Sequence, residues 1–252
     1  MPFTFIHPAV VLPFKYFNRK WFSLTGLIIG SLTPDFEYFI RMRIKSNYSH
    51  SLGGLFWFDL PLGLLAAFIF HYIIRDNLFD NLPTVLRSRF SKYYQFNWYK
   101  YFINNWYVVI ISLLIGAASH LLWDSFTHKN GYLVNTIAVL TSKFEIINRQ
   151  ISIYQILQHA STIIGLLLII FFIFRLPSDK NVKGKFNAIF WSILIVLTLI
   201  IVAIRILCGL KYEQYGHTIA TIVSAGLISL IFVSLGTSII KLFQRIWLHL
   251  KK

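Results

Sequence analysis

Apolar positions run along this chain in long unbroken stretches, not in the alternating patterns of half-buried strands or the narrow stripes of soluble helices. Five stretches have the length and apolarity of membrane-crossing helices: Leu52–Ile74, Trp106–Trp123, Ala160–Phe174, Phe186–Leu207 and Thr218–Ile240. A sixth, Phe22–Ile40, is interrupted by Gly26, Gly30, Pro34, Asp35 and Glu37. It reads as a short or re-entrant helix packed on a bundle. Between the first two spans, residues 75–105 alternate aromatics with bases, and Pro83 stands where a helix would start. That pattern predicts an amphipathic helix in the headgroup layer, with a solvated basic loop as the plain alternative. The expected architecture is all-α, a single polytopic helical membrane domain over 1–252 with no internal repeat.

Composition agrees with the pattern. Of 252 residues, 56% are apolar and only 13% charged, about half the charge of an ordinary soluble domain. A soluble enzyme, a disordered chain and a coiled coil are excluded on that ground. The net charge of +15 would suggest nucleic acid in a soluble protein. Here the bases cluster between apolar runs, beside anionic lipid headgroups, and no nucleic-acid-binding motif accompanies them. The lone Cys208 excludes an intramolecular disulfide and reads as a buried small hydrophobe. The N-terminus has neither a basic lead nor a small-residue cleavage site, so no removable signal peptide is expected.

With five spans, one face receives residues 75–105, 175–186 and 241–252, which hold 13 Lys and Arg. The other receives 1–51, 124–159 and 208–217, with 10. The shorter, more basic set is expected to be cytoplasmic, and the other extracytoplasmic.

The few histidines and carboxylates gather on that second face. His50 precedes the first span, His120 and Asp124 end the second, and His128 follows. His7, Asp35 and Glu37 join them if residues 22–40 are re-entrant. The sharpest element is His120-x3-Asp124-x3-His128, because steps of four residues leave one polar stripe on one helix face. An imidazole, a carboxylate and an imidazole there suit zinc or a similar divalent cation, and the central carboxylate could bridge two ions. A hydrogen-bonded core pair at a helix end is the alternative. His159 and His217 read as interfacial hydrogen-bonding groups, and His71 and His249 as structural. Asp59 reads as a core hydrogen-bonding group, Arg205 as a snorkelling base and Gly53-Gly54 as packing residues. No nucleophilic-serine elbow, phosphate-binding loop or dinucleotide fingerprint occurs. Transport would place ionisable groups near the bilayer midplane, whereas these collect at one end.

MPFTFIHPAVVLPF, GSLTPDFEYFIR, SHSLGGLFWFDLPLG, LPTVLRSRF and SHLLWDSFTHKNGY, in that order, resemble the bacterial membrane-protein family DUF4184 from residue 1 to about residue 170. The order of ligand-type residues is also similar to membrane-bound metal-dependent hydrolases of the YdjM type and to zinc-dependent phospholipase C. That similarity implies His7, Asp35, His50, His120, Asp124 and His128 as metal ligands, with Asp124 bridging. A later His-x3-Glu pair and an N-terminal Trp of the soluble enzymes are missing, so one or two ions are expected, zinc by preference. The implied activity is hydrolysis of a lipid or other phosphoester at the bilayer surface. Asp35 or Glu37 would be the general base, and Arg41, Arg43, Lys45 and Lys129 would attract an anionic headgroup. A non-catalytic membrane protein with a structural metal or hydrogen-bond cluster is the second reading.

Overall fold

The structure, a computed structural model, describes residues 3–17, 20–146, 149–182, 186–210 and 214–251. Among them six helices dominate: α1 (Leu24–Arg41), α2 (Leu55–Asp80), α3 (Trp98–Thr127), α4 (Ile153–Phe174), α5 (Ala188–Leu207) and α6 (Tyr215–Leu250). Helices α2 to α6 are long and apolar enough to cross a membrane, as the five apolar stretches predict and as an integral membrane protein requires. Helix α1 has only 18 residues, three of them charged (Asp35, Glu37 and Arg41), and is not among those five. It runs uninterrupted for 18 residues through Pro34.

The helices are longer than the apolar runs because flanking polar residues still close backbone hydrogen bonds. In α3 the non-helical Asn105 marks a kink directly before Trp106, where the apolar run begins. The N-terminus of α4 is fixed by a capping box of Ser152 and Gln155. Pro83 occupies the N-cap of a seven-residue helix, Thr84–Phe90, which a 3-10 turn at Ser91–Tyr93 follows within the expected amphipathic segment. One departure from the all-helical expectation is a small antiparallel hairpin of Lys143–Ile146 and Arg149–Ser152. Its length is too short to leave a strand pattern beside the apolar runs. Cys208 is exposed at the C-cap of α5, not buried as expected, because the apolar helix around it faces outward. Of the bases counted for topology, Arg19, Lys183, Lys185, Lys211 and Lys252 lie outside the described residues.

Two compact units are distinguished. The first comprises Met1–Phe36, Asn47–Leu65 and Tyr99–Arg175. Its centre is the crossing of α1 with α3, where Leu27, Val109 and Leu113 are almost wholly buried. Gly26-x3-Gly30 on α1 meets Ser112-x3-Gly116 on α3, small residues that let two backbones touch. A β-carbon on Gly30 would stand 2.2 Å from the Leu113 carbonyl oxygen, and one on Gly116 would stand 2.4 Å from that of Leu27. The Ser112 hydroxyl accepts from the Ser23 amide at 2.8 Å across the same crossing.

The second unit comprises Glu37–Ser46, Ala66–Trp98 and Leu176–Lys252. Here α6 packs on α5 and uses hydroxyl groups to satisfy carbonyls at the end of α1. Thr221 donates to Met42 at 2.9 Å and Ser224 to Phe39 at 2.7 Å. Asn77 of α2 donates to Ser238 at 2.7 Å, and Lys241 pairs with Asp80 at 2.7 Å. His71 stacks on Trp98 with ring centroids 4.4 Å apart, which gives it the structural place expected.

Gly30→Val should destabilise the fold by about 3 kcal/mol or more, because the approaching atom is backbone and cannot rotate aside. Gly53→Ala, whose β-carbon would meet nothing within 4 Å, should be nearly neutral. Thermal unfolding in detergent checks both.

Candidate metal centre

The close crossing of α1 with α3 sets the chemistry of the first unit. It brings Asp35, about one turn beyond Gly30 and Ser31, against the stripe of α3 that carries His120 and Asp124. His50 arrives from the turn that precedes α2. One ligand-type atom from each of Asp35, His50, His120 and Asp124 lies within 4.8 Å of every other, so the four could hold a metal ion.

Their separations are informative. Asp35 Oδ1 is 3.6 Å from both His50 Nε2 and His120 Nε2. Asp124 Oδ2 is 3.6 Å from His50 Nε2 and 3.3 Å from His120 Nε2. These distances are long for hydrogen bonds. Four donors at about 2.0–2.1 Å from one tetrahedral ion stand about 3.3–3.4 Å apart; the four Asp–His separations are near this, and the remaining two pairs lie within 4.8 Å.

Burial strengthens the fit. Asp35 and His120 are fully buried. Asp35 Oδ1, His120 Nε2, Asp124 Oδ1 and both ring nitrogens of His7 have no hydrogen-bond partner among the described residues. A buried polar atom without a partner is costly, and several aimed at one small region suit a shared cation. The side chains of His50 and His128 keep 21% and 28% of their exposure, so the cluster opens on their side.

Outer contacts decide which atoms face inward. His120 Nδ1 lies 2.7 Å from the Ser31 carbonyl oxygen; donating there leaves Nε2 with its lone pair for a cation. His50 Nδ1 has the Ser49 hydroxyl at 3.0 Å and can use it in the same way. Thr4 donates to Asp35 Oδ2 at 2.5 Å, which leaves Oδ1 to point at the imidazoles. Burial, the largest influence on Asp35, pushes its pKa up. When protonated, the neighbouring His120 and His50 imidazoles overcome it and hold the carboxyl below its ordinary value, and a bound cation would act in the same sense.

His7 and His128 border the cluster through the second oxygen of Asp124. His7 Nε2 is 3.7 Å and His128 Nδ1 3.3 Å from Asp124 Oδ1. His7 is buried and stacks on His120 with centroids 3.7 Å apart. Burial, reinforced by His120, lowers its pKa to about 3, so it is a neutral imidazole at physiological pH. His128 directs Nδ1 back at its own helix, 3.1 Å from the Asp124 carbonyl oxygen, which braces that carboxylate. Glu37 is not brought to the cluster. It lies two residues beyond Asp35, about 200° around the helix, where Arg41 donates to it at 2.9 Å and Ser46 at 3.2 Å.

Sequence reasoning did not find Thr4, Ser31 or Ser49. A hydroxyl or carbonyl behind a ligand leaves no spacing signature. The Gly26-x3-Gly30 repeat, however, could have announced the crossing that brings Ser31 to His120.

The sequence model of a family described as a domain of unknown function, DUF4184, matches residues 1–240, well beyond the motifs quoted above. No curated protein and no solved structure matches the chain.

Thr4→Val should weaken divalent-metal binding 10–100-fold, the usual effect of losing an outer partner, while Thr4→Ser retains it. Competition titration with a chelating dye measures both.

Proposed function

The chain belongs to the DUF4184 family, a domain of unknown function, and from its site we propose that it is a membrane-embedded, metal-dependent hydrolase of a lipid or other phosphoester. The observation that carries this reading is the convergence of two carboxylates and two imidazoles, all buried but the half-buried His50, on one small region. A donor set of two nitrogens and two oxygens suits zinc among the common divalent cations. Asp35, His50, His120 and Asp124 would hold the first ion. His7 and the outer oxygen of Asp124 offer a place for a second.

A divalent cation held there supplies Lewis acidity and a water that ionises near neutral pH. The chain's own residues do the rest. Asp124 spans the two halves of the cluster with its two oxygens, and His120 and Asp35 exclude water from its floor. His50 and His128 border the open side, where a phosphoester would enter, and the exposed Lys129 beside them favours an anionic group. The cluster lies within about two turns of the end of α3, near the depth of lipid headgroups rather than the bilayer centre. The count of bases supports an extracytoplasmic position for this end, and the resemblance to a bacterial family supports the inner membrane.

One observation favours a second reading, a structural metal without catalysis. Both carboxylates considered for the general base are engaged, Asp35 by Thr4 and Glu37 by Arg41 and Ser46. A hydrolase would then take its proton acceptor from the imidazoles that border the cluster, His7 or His128.

Metal analysis of detergent-purified protein, followed by a panel of phospholipid and soluble phosphodiester substrates, tests both readings. Wild type should carry one or two divalent ions per chain and show turnover that a chelator abolishes. Asp124→Asn and His120→Ala should each lower metal affinity by more than about 100-fold, since outer partners alone account for 10–100-fold. His249→Ala, in the exposed end of α6, should change neither. Bound metal without turnover on any substrate would leave the structural reading, and no bound metal would contradict both.

A further inference from the structure

The segment that joins α3 to α4 has a surface unlike that of a loop facing water. Tyr132, Ile137, Val139 and Phe144 are 76%, 40%, 63% and 53% exposed, while Val134 and Leu140 point inward at 1% and 8%. Two short helices, Tyr132–Thr136 and Ala138–Thr141, produce this division by setting one apolar group down and the others out. Exposed Lys129 and Lys143 bracket the apolar group, and Glu145 is the one acid between residues 128 and 146.

The segment is tied down at both ends. At its start the His128 amide donates to the Asp124 carbonyl at 3.0 Å and the Gly131 amide to that of His128 at 2.8 Å. A β-carbon on Gly131 would stand 2.4 Å from the Ser125 carbonyl oxygen, so this turn lies flush on the end of α3. At its far end the Ile153 amide donates to the Ser142 carbonyl at 3.1 Å, next to the capping box of α4. The segment is therefore joined by backbone hydrogen bonds to the ends of two helices long and apolar enough to cross a membrane, and Tyr132 stands one residue past the turn that packs against the Ser125 and Asp124 carbonyls.

We infer that residues 132–144 dock on the interfacial layer of the bilayer, with Lys129 and Lys143 on its phosphates. Two features choose a bilayer as the occupant. The segment leads into α4, whose Ile163, Ile164 and Leu167 are more than half exposed on a helix apolar enough to cross a membrane, and its flanking charges are basic, as anionic headgroups require. Tyr132 adds an aromatic of the kind that settles at headgroup depth. Because the same turn fixes both this surface and Asp124, docking holds the metal cluster at headgroup level. Resting on the hydrolase reading above, this narrows the substrate to an amphiphile whose polar group arrives from the bilayer and not from bulk water.

Site-directed spin labelling tests the docking without reference to activity. In a Cys208→Ser background, Ile137→Cys and Val139→Cys are labelled separately and the protein is placed in nanodiscs of phosphatidylcholine and phosphatidylglycerol. Metal content is measured on the same samples to confirm an intact cluster. Docking predicts that both labels are relaxed more strongly by oxygen than by a water-soluble nickel chelate. Stronger relaxation by nickel would overturn it, as would dipolar broadening from a second copy covering the surface. In a second arm, the triple variant Ile137→Ser, Val139→Ser, Phe144→Ser should lose roughly tenfold or more of its turnover of bilayer phospholipid while hydrolysing a soluble short-chain phosphoester at the wild-type rate. Equal loss on both substrates would contradict the delivery route. If wild type hydrolyses neither, the hydrolase reading falls and the spin labels still decide the docking.

Discussion

Two buried carboxylates cannot both be ionised within a few ångströms of low-dielectric space unless positive charge sits with them. Asp35 and Asp124 are in that position, with ligand atoms within 4.8 Å of one another. Two neutral imidazoles and a divalent cation would balance their charge in full, and the cation would satisfy the buried atoms that protein partners leave over. The remaining features of the first unit follow from holding those four side chains in register. Thr4 turns one carboxylate, the Ser31 carbonyl sets one imidazole, and His128 braces the second carboxylate from outside.

Packing provides the register. Tight contact between α1 and α3 removes the gap that larger side chains would open, and it places a helix backbone within hydrogen-bond reach of His120. In lipid, apolar burial gives helices little reason to associate, so close backbone contact and interhelical hydrogen bonds must supply it. The first unit relies on glycine contact at Gly30 and Gly116. The second relies on hydroxyl and amide groups, with Thr221, Ser224 and Asn77 reaching across to neighbouring helices. Chemistry and stability thus draw on the same crossing in one unit and are separate in the other.

Much of this was legible in the chain itself. Five apolar runs became five long helices, because only a helix satisfies its own backbone in a span of that length. His120 and Asp124 announced themselves by a four-residue step, and chain topology brought His50 to the same end. The hidden parts were those without a period. The hairpin at residues 143–152 is too short to show alternation. Cys208 was misjudged because an apolar neighbourhood in sequence means lipid exposure as readily as burial. Glu37 looked equivalent to Asp35 in composition, but a two-residue offset on a helix turns it toward Arg41.

The central claim is that Asp35, His50, His120 and Asp124 coordinate one ion together. X-ray absorption spectroscopy on metal-loaded, detergent-purified protein tests it most directly. The account predicts a first shell of two imidazole nitrogens and two carboxylate oxygens at about 2.0–2.1 Å, with the imidazole scattering weakened in His120→Ala. An ion that keeps the full shell of free hydrated metal, or a spectrum unchanged by that substitution, would contradict it.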